Sequence, residues 1–243
     1  MPASENVSAN LRSAENVRSI RTDETYGEVH AQQIVLLYRQ LPAALTATLL
    51  IAFVVVGVTW PVADARLLLS WLIVVCALTG HRVLLLRRFT ASAPRAEQMA
   101  PWLRSFFVGT LLSGLIWGAA GVLLAGQNLI HQFFFGLLLA GLAAGGVSTL
   151  SSYRGVYAAF LLPSMLPFAA HMASYLDPVH VAMASMILLF VALMLGISAR
   201  IHSTIAESLR LRFRNLGLVD TLTATKENLQ YANAALQREI GEH

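Results

Sequence analysis

Residues 133–150 read FFFGLLLAGLAAGGVSTL, eighteen residues without a single charge. A helix needs roughly 20 apolar residues to cross the hydrocarbon layer of a bilayer, so this stretch decides the fold class. The rest of the chain agrees, because 56% of its 243 residues are hydrophobic and only 12% are charged. A soluble domain carries about 25% charged residues. The sequence therefore predicts an all-α, polytopic membrane protein whose first partner is the lipid bilayer.

Six segments are long and apolar enough to cross a bilayer. They lie at about 42–60, 67–86, 106–125, 132–150, 156–176 and 179–199. Pro42 suits the first turn of the first segment, because its missing N–H would have no partner there. We expect residues 42–199 to form a six-helix transmembrane bundle.

Two polar segments precede the first crossing. Residues 1–25 are expected to be disordered. Residues 26–41 are predicted to form an amphipathic helix that leads into the bundle, or else a simple extension of the first crossing.

The arginines are distributed unequally between the two sides of the predicted bundle. Four lie between the second and third segments and four follow the sixth: Arg87, Arg88, Arg95, Arg104, Arg200, Arg210, Arg212 and Arg214. Basic residues stay on the cytoplasmic side, so both termini are predicted in the cytoplasm. The net charge of +4 is explained by this topology, and no nucleic-acid partner is expected.

Charged and metal-binding side chains are scarce within the predicted spans. No Asp or Glu lies in mid-membrane, which disfavours ion-coupled transport. Arg66 and Arg82 lie near span ends, where their guanidinium groups are expected to reach the interface. Cys76 has no partner cysteine, and the histidines lack the spacing of metal ligands. We therefore expect no cofactor, no metal site and no catalytic residue.

A small transporter or channel-like protein with a regulatory tail is the alternative function. It would need a polar pathway through the bundle. The sequence offers such side chains only at Thr79, Ser148, Ser164 and His171.

Small residues at helical spacing occupy the third and fourth segments. In lipid, helices associate by close backbone approach, which small side chains permit, so the fourth segment is predicted to be central and closely packed. Two prolines in the fifth segment each remove a backbone hydrogen bond, and a kink is predicted there. The candidate sensing or packing positions are Gly114, Gly118, Gly141, Gly145, Ser148, Pro163, Pro167 and His171.

Residues 200–243 are predicted to form a juxtamembrane coiled-coil output helix. Leucines seven residues apart occupy heptad position d, and a β-branched residue opens position a, a pattern that favours a parallel two-stranded coil. The heptad breaks beside Gly217, which weakens a helix interior. The alternative is an amphipathic helix lying on the membrane or on its own domain. The candidate dimer or relay positions are Gly217, Val219, Leu222, Lys226, Leu229, Asn233, Leu236 and Ile240.

Several stretches resemble one family of signalling proteins. They are YRQLPAALTATLL (38–50), LLSGLIWGAAGVLL (111–124), LAGLAAGGVSTL (139–150), FLLPSMLPFAAHM (160–172) and LQYANAALQREIGEH (229–243). Together they are similar to the N-terminal multi-pass input region of bacterial sensor histidine kinases, often hybrid ones. Similar regions also precede diguanylate cyclase domains.

The resemblance implies a sensory input module of a two-component system in the inner membrane of a bacterium. It would act as a homodimer and relay a stimulus through the C-terminal helix to a kinase or cyclase domain downstream of residue 243. The chain itself has no phosphoacceptor-histidine box, nucleotide-binding glycine motif or GGDEF-type loop, so no enzymatic activity is expected of it. It would be a fragment of a longer signalling protein or a truncated chain. Its outer loops are short, which favours a lipophilic small molecule as the signal.

Overall fold

The computed structural model contains six long α-helices. It assigns backbone structure to residues 2–242 and describes the side chains of residues 27–213, 215, 218–219, 222–223, 225–227 and 229–230. The helices are α1 (Pro2–Thr59), α2 (Ala65–Ser92), α3 (Met99–Leu123), α4 (Leu129–Leu150), α5 (Val156–Ala173) and α6 (Pro178–Glu242). A short 3₁₀ turn, Ala96–Gln98, precedes α3, and residues 2–242 include no strand.

Each of the six helices contains a stretch long and apolar enough to cross a membrane. These stretches include Gly27–Thr59 of α1 and Pro178–Phe213 of α6. The predicted all-α, polytopic membrane fold is therefore confirmed, and the chain is a multi-pass membrane protein.

The chain divides into two compact units. Residues 30–204 form one unit, which is the helical bundle. Residues 1–29 and 205–243 form the other.

The centre of the bundle is the contact between α3 and α5. A Cβ atom added to Gly114 would lie 2.5 Å from the carbonyl oxygen of Phe160, and one added to Gly118 would lie 2.2 Å from that of Pro163. Pro167 has no N–H, so the Pro163 carbonyl lacks its usual helical donor. The missing side chain of Gly118 lets a Cα hydrogen approach this oxygen instead. The two helices thus pack backbone against backbone.

The fourth helix is not the central one, so the prediction of its close packing is wrong. Its buried face consists of the larger side chains Gln132, Phe135 and Leu139, with Ala143. Gly141, Gly145 and Ser148 are exposed, and a Cβ added to either glycine would meet nothing within 4 Å. The apolar bulk of α4, rather than its small residues, faces α3 and α5.

The first helix passes through Pro42 without a break. Residues 26–41 and 42–59 belong to one helix, so Pro42 lies in a helix interior and not in a first turn. Tyr38, one helical turn before this proline, is 1% exposed. The Tyr38 ring stacks on Phe89 with centroids 3.9 Å apart, and its hydroxyl donates to the Trp102 carbonyl at 3.0 Å. This packing stabilises the helix on the N-terminal side of the proline.

The segment predicted to be disordered, residues 1–25, falls where no side chains are described. The assigned backbone of α1 begins at Pro2.

We expect the substitution Gly118→Ala to lower the free energy of unfolding by about 1–3 kcal/mol, the usual cost of overpacking. The added methyl group would meet backbone rather than a flexible side chain, so α3 and α5 must separate. Gly80→Ala on α2 is the matched control, because a Cβ there meets nothing within 4 Å. Denaturant titration of the reconstituted variants measures both changes. Equal stability of the two variants would contradict the close α3–α5 contact.

Candidate functional site

Arg82 is a buried cation inside the bundle. Its side chain is 7% exposed. Nη1 donates to Ser113 Oγ at 3.2 Å and Nη2 donates to Thr110 Oγ1 at 3.1 Å. The guanidinium carbon lies 5.1 Å from the centroid of the Phe106 ring, within the range of a cation–π interaction. The expectation that Arg82 extends to the interface is therefore wrong.

The third helix explains why Arg82 turns inward. Thr110 and Ser113 are three residues apart and offer hydroxyl acceptors on one helix face. Gly109 leaves space between them, since a Cβ there would lie 3.3 Å from Arg82 Nε. The long Arg82 side chain can lie along this face, and its guanidinium then hydrogen-bonds to two hydroxyl groups instead of to water.

The positive charge of Arg82 has no carboxylate partner among the described residues. The ion pair found in that part of the chain joins His180 and Asp177. Arg82 Nε is also buried without a hydrogen-bond partner. A guanidinium has five N–H donors, and the two hydroxyl contacts use two of them. A buried cation in this state is costly unless something anionic accompanies it.

A cavity of about 290 Å³ lies beside Arg82. Ligand pockets in proteins range from about 300 to 1,000 Å³, so its size suits a small ligand. Small residues of α1 and α4 form two of its walls: Ala43, Ala44, Ala47, Gly141, Gly145 and Gly146. Ala43, Ala47, Gly141 and Gly145 are exposed, so the cavity opens on the side of the bundle between α1 and α4.

The cavity lining combines a few polar groups with a mostly apolar surface. The polar side chains that line it together with Arg82 are Gln40, Thr48, Thr110, Ser113 and Thr149. The amide oxygen of Gln40 is buried without a hydrogen-bond partner. The larger apolar side chains are Leu37, Leu41, Ile51, Phe106, Trp117, Leu142, Leu150 and Phe160. The cavity is therefore mostly apolar, with Arg82 as the charged group on its wall.

The sequence-predicted positions do not form one site. Gly141 and Gly145 line the cavity, whereas Gly114, Gly118 and Pro163 belong to the α3–α5 contact. Pro167 lies inside α5 and is exposed. His171 lies in the last turn of α5, with its ring 5.4 Å from that of Tyr175.

The side chains named for a polar pathway are also dispersed. Ser148 and Ser164 donate to carbonyl groups of their own helices, those of Gly145 and Leu161. Thr79 is buried and Ser148 is exposed.

Sequence reasoning missed Arg82 and Gln40. The signal available for Arg82 was its position ten residues before the end of α2, opposite a segment with hydroxyl groups at 110 and 113. From its position alone, the Arg82 side chain was expected at the membrane interface. The hydroxyl groups of α3 hold it inside the bundle instead.

A hydrogen-bonded network links the beginnings of α4 and α6. His180 Nε2 lies 2.7 Å from Gln132 Oε1, and Gln132 Nε2 donates to the Gly126 carbonyl at 3.1 Å. The other ring nitrogen contacts the Asp177 carboxylate, and Tyr175 stacks on the ring with centroids 4.3 Å apart. Both groups that face the imidazole carry acceptor oxygens, the Gln132 amide and the Asp177 carboxylate.

Asp177 also caps α6. Its Oδ1 accepts from the backbone N–H groups of Val179 and His180 at 3.0 and 3.2 Å. The backbone hydrogen bond from His180 is the largest of the effects that lower the pKa of this carboxyl below its ordinary value.

The relay positions of the C-terminal helix are partly described. Val219, Leu222, Lys226 and Leu229 are all exposed. Gly217, Asn233, Leu236 and Ile240 lie outside the described side chains. Among the described residues, no group of three His, Cys, Asp or Glu side chains is placed to bind a metal ion.

No protein-family model matches the chain, and no curated protein or solved structure matches it significantly. The similarity to sensor-kinase input regions therefore rests on the sequence motifs. The function has to follow from the cavity, Arg82 and the C-terminal helix.

We expect Asp177→Asn to lower thermal stability at neutral pH, and the difference from the wild type to shrink as the pH falls below about 4. A carboxylate with a lowered pKa stabilises the fold above its unfolded pKa. That contribution is lost as the pH falls through the folded pKa. An asparagine can still cap the helix, so the loss of thermal stability measures the contribution of the Asp177 charge beside His180.

Asp64→Asn is the matched control, because Asp64 caps α2 through the N–H groups of Arg66 and Leu67 without a histidine contact. Thermal unfolding from pH 2 to 8 measures both variants. A stability difference between Asp177→Asn and wild type that is constant over this range would show that the carboxylate charge contributes nothing.

Proposed function

We propose that this chain is the membrane-embedded sensory input module of a bacterial signalling protein of the sensor histidine kinase type. The bundle receives a signal in the inner membrane, with both termini in the cytoplasm. Two copies of the chain pair through the C-terminal helix, which passes the signal to an output domain joined to it.

The observation that carries this proposal is the exposed apolar stripe on α6. The helix that begins with the sixth crossing is assigned as far as Glu242. Val219, Leu222 and Leu229 are 57%, 69% and 60% exposed on it. Burying one such side chain contributes about 1.5–3 kcal/mol, so a stripe of them at heptad spacing favours pairing with an apolar helix. The same stripe of a second copy has the required spacing.

Two polar contacts support transmission from the cavity to α6. The Gln132–His180 hydrogen bond ties the beginning of α4 to α6. At the other end, just after α4, Ser151 Oγ donates to Ser198 Oγ at 2.8 Å. A shift of α4, which forms one cavity wall, would therefore displace α6 at both places. A signal changes the output only if it binds one packing of these helices more tightly than the other.

Insertions in the C-terminal helix test the relay. Each inserted residue rotates the following helix by about 100°, whereas seven residues change the phase by only about 20°. We expect one- or two-residue alanine insertions after Leu218, in a fusion of the chain to a histidine kinase core, to change autophosphorylation at least fivefold. A seven-residue helical insertion is expected to restore activity to within about twofold of the parent fusion.

The seven-residue variant is the matched control, since it adds more sequence but keeps the heptad phase. Autophosphorylation in reconstituted vesicles is the readout. If the one-, two- and seven-residue insertions all leave the activity at the parental level, the helix does not transmit by its rotational phase and the proposal fails.

A further inference from the structure

We propose that the cavity between α1 and α4 binds a single-chain amphiphile with a carboxylate head, and that Arg82 binds this head. The proposal names the chemical class of the signal, and only its signalling consequence rests on the proposed function. Binding itself depends on the bundle alone.

The charge of the site selects an anion. Arg82 is the charged residue on the cavity wall, and no described carboxylate pairs with it. Three of its five N–H donors remain after the contacts with Thr110 and Ser113, one each on Nη1, Nη2 and Nε. Nε is buried beside Gly109, so Nη1 and Nη2 are the atoms whose donors face a head group. The planar guanidinium matches the two oxygens of a carboxylate, and charge-assisted hydrogen bonds of this kind are about twice as strong as neutral ones.

The shape of the cavity selects one chain. Its lining on α1 extends from Leu37 to Ile51, fourteen residues or about 21 Å along a helix. Apolar side chains lie at both ends, Leu37 and Phe106 at one and Ile51 and Trp117 at the other, and Arg82 lies between them beside Thr110 and Ser113. A volume of about 290 Å³ is at the lower end of the range for ligand pockets, which favours one acyl chain over the two of a phospholipid.

The opening of the cavity selects a ligand that dissolves in the membrane. Ala43 and Ala47 of α1 face it from one side and Gly141 and Gly145 of α4 from the other, and all four are exposed. Both helices cross the membrane, so the opening faces lipid. A fatty acid can enter sideways from the bilayer, with its chain first surrounded by lipid and then by the apolar lining of the cavity.

The experiment measures binding to the full chain in nanodiscs of zwitterionic lipid. Dodecanoate, dodecanol and dodecylammonium share one chain and differ in the head, and each competes with a spin-labelled fatty acid. We expect saturable displacement by dodecanoate, at least tenfold weaker displacement by dodecanol, and none by dodecylammonium.

Two substitutions of equal charge change separate the site from the surface. Arg82→Gln is expected to weaken dodecanoate binding at least tenfold and to leave dodecanol unchanged. Arg87→Gln removes the same charge from an exposed position on the same helix, and it is expected to change dodecanoate binding by less than twofold.

A second pair of variants tests the α4 wall of the cavity without altering Arg82. Gly145→Leu fills the cavity from the α4 side, where a Cβ meets nothing within 4 Å, and is expected to weaken dodecanoate and dodecanol equally. Gly80→Leu is its control, because Gly80 has the same open surroundings and does not line the cavity.

Three results would overturn the proposal. They are equal competition by all three heads, dodecanoate binding that is unchanged in Arg82→Gln or in Gly145→Leu, and displacement by phosphatidylglycerol as effective as by dodecanoate. Each would leave the insertion series of the kinase fusion intact. Failure of that series would in turn leave the binding measurements intact, so the two proposals fail separately.

Discussion

The contact between α3 and α5 is the constraint on which the rest of the bundle depends. Lipid offers no hydrophobic force to bring two apolar helices together, so their association relies on close packing. Gly114 and Gly118 supply it by placing the α3 backbone against the carbonyl groups of Phe160 and Pro163. Once α3 is fixed in the centre, its other face presents the hydroxyl groups that turn Arg82 inward. The architecture and the site thus share one helix.

The position of α4 follows from the same centre. Its large side chains pack towards α3 and α5, and its small ones face outward and leave room for the cavity. This helix is joined to α6 by polar contacts near both of its ends. A ligand in the cavity would therefore contact α4, which is already hydrogen-bonded to α6. No further element is needed to connect the cavity with α6.

The sequence predicts the fold well and the site poorly, for physical reasons. Six apolar stretches suffice for the fold, because lipid allows little else. Glycine spacing shows where a helix can be approached but does not show whether a neighbour is there. The glycines of α3 contact α5, whereas Gly141 and Gly145 of α4 meet open space. Arg82 was assigned to the interface by its position, and its hydroxyl partners on another helix become visible only in three dimensions.

The central claim is that two copies pair through their C-terminal helices and that a ligand in the cavity alters this pairing. Dipolar spectroscopy tests it, with one spin label at the exposed position Glu227 in a Cys76→Ser background, in nanodiscs with and without dodecanoate. The account predicts a distance between two chains that suits helix axes about 8–10 Å apart, and a shift of that distance on adding dodecanoate. Absence of any distance between chains under both conditions would contradict it.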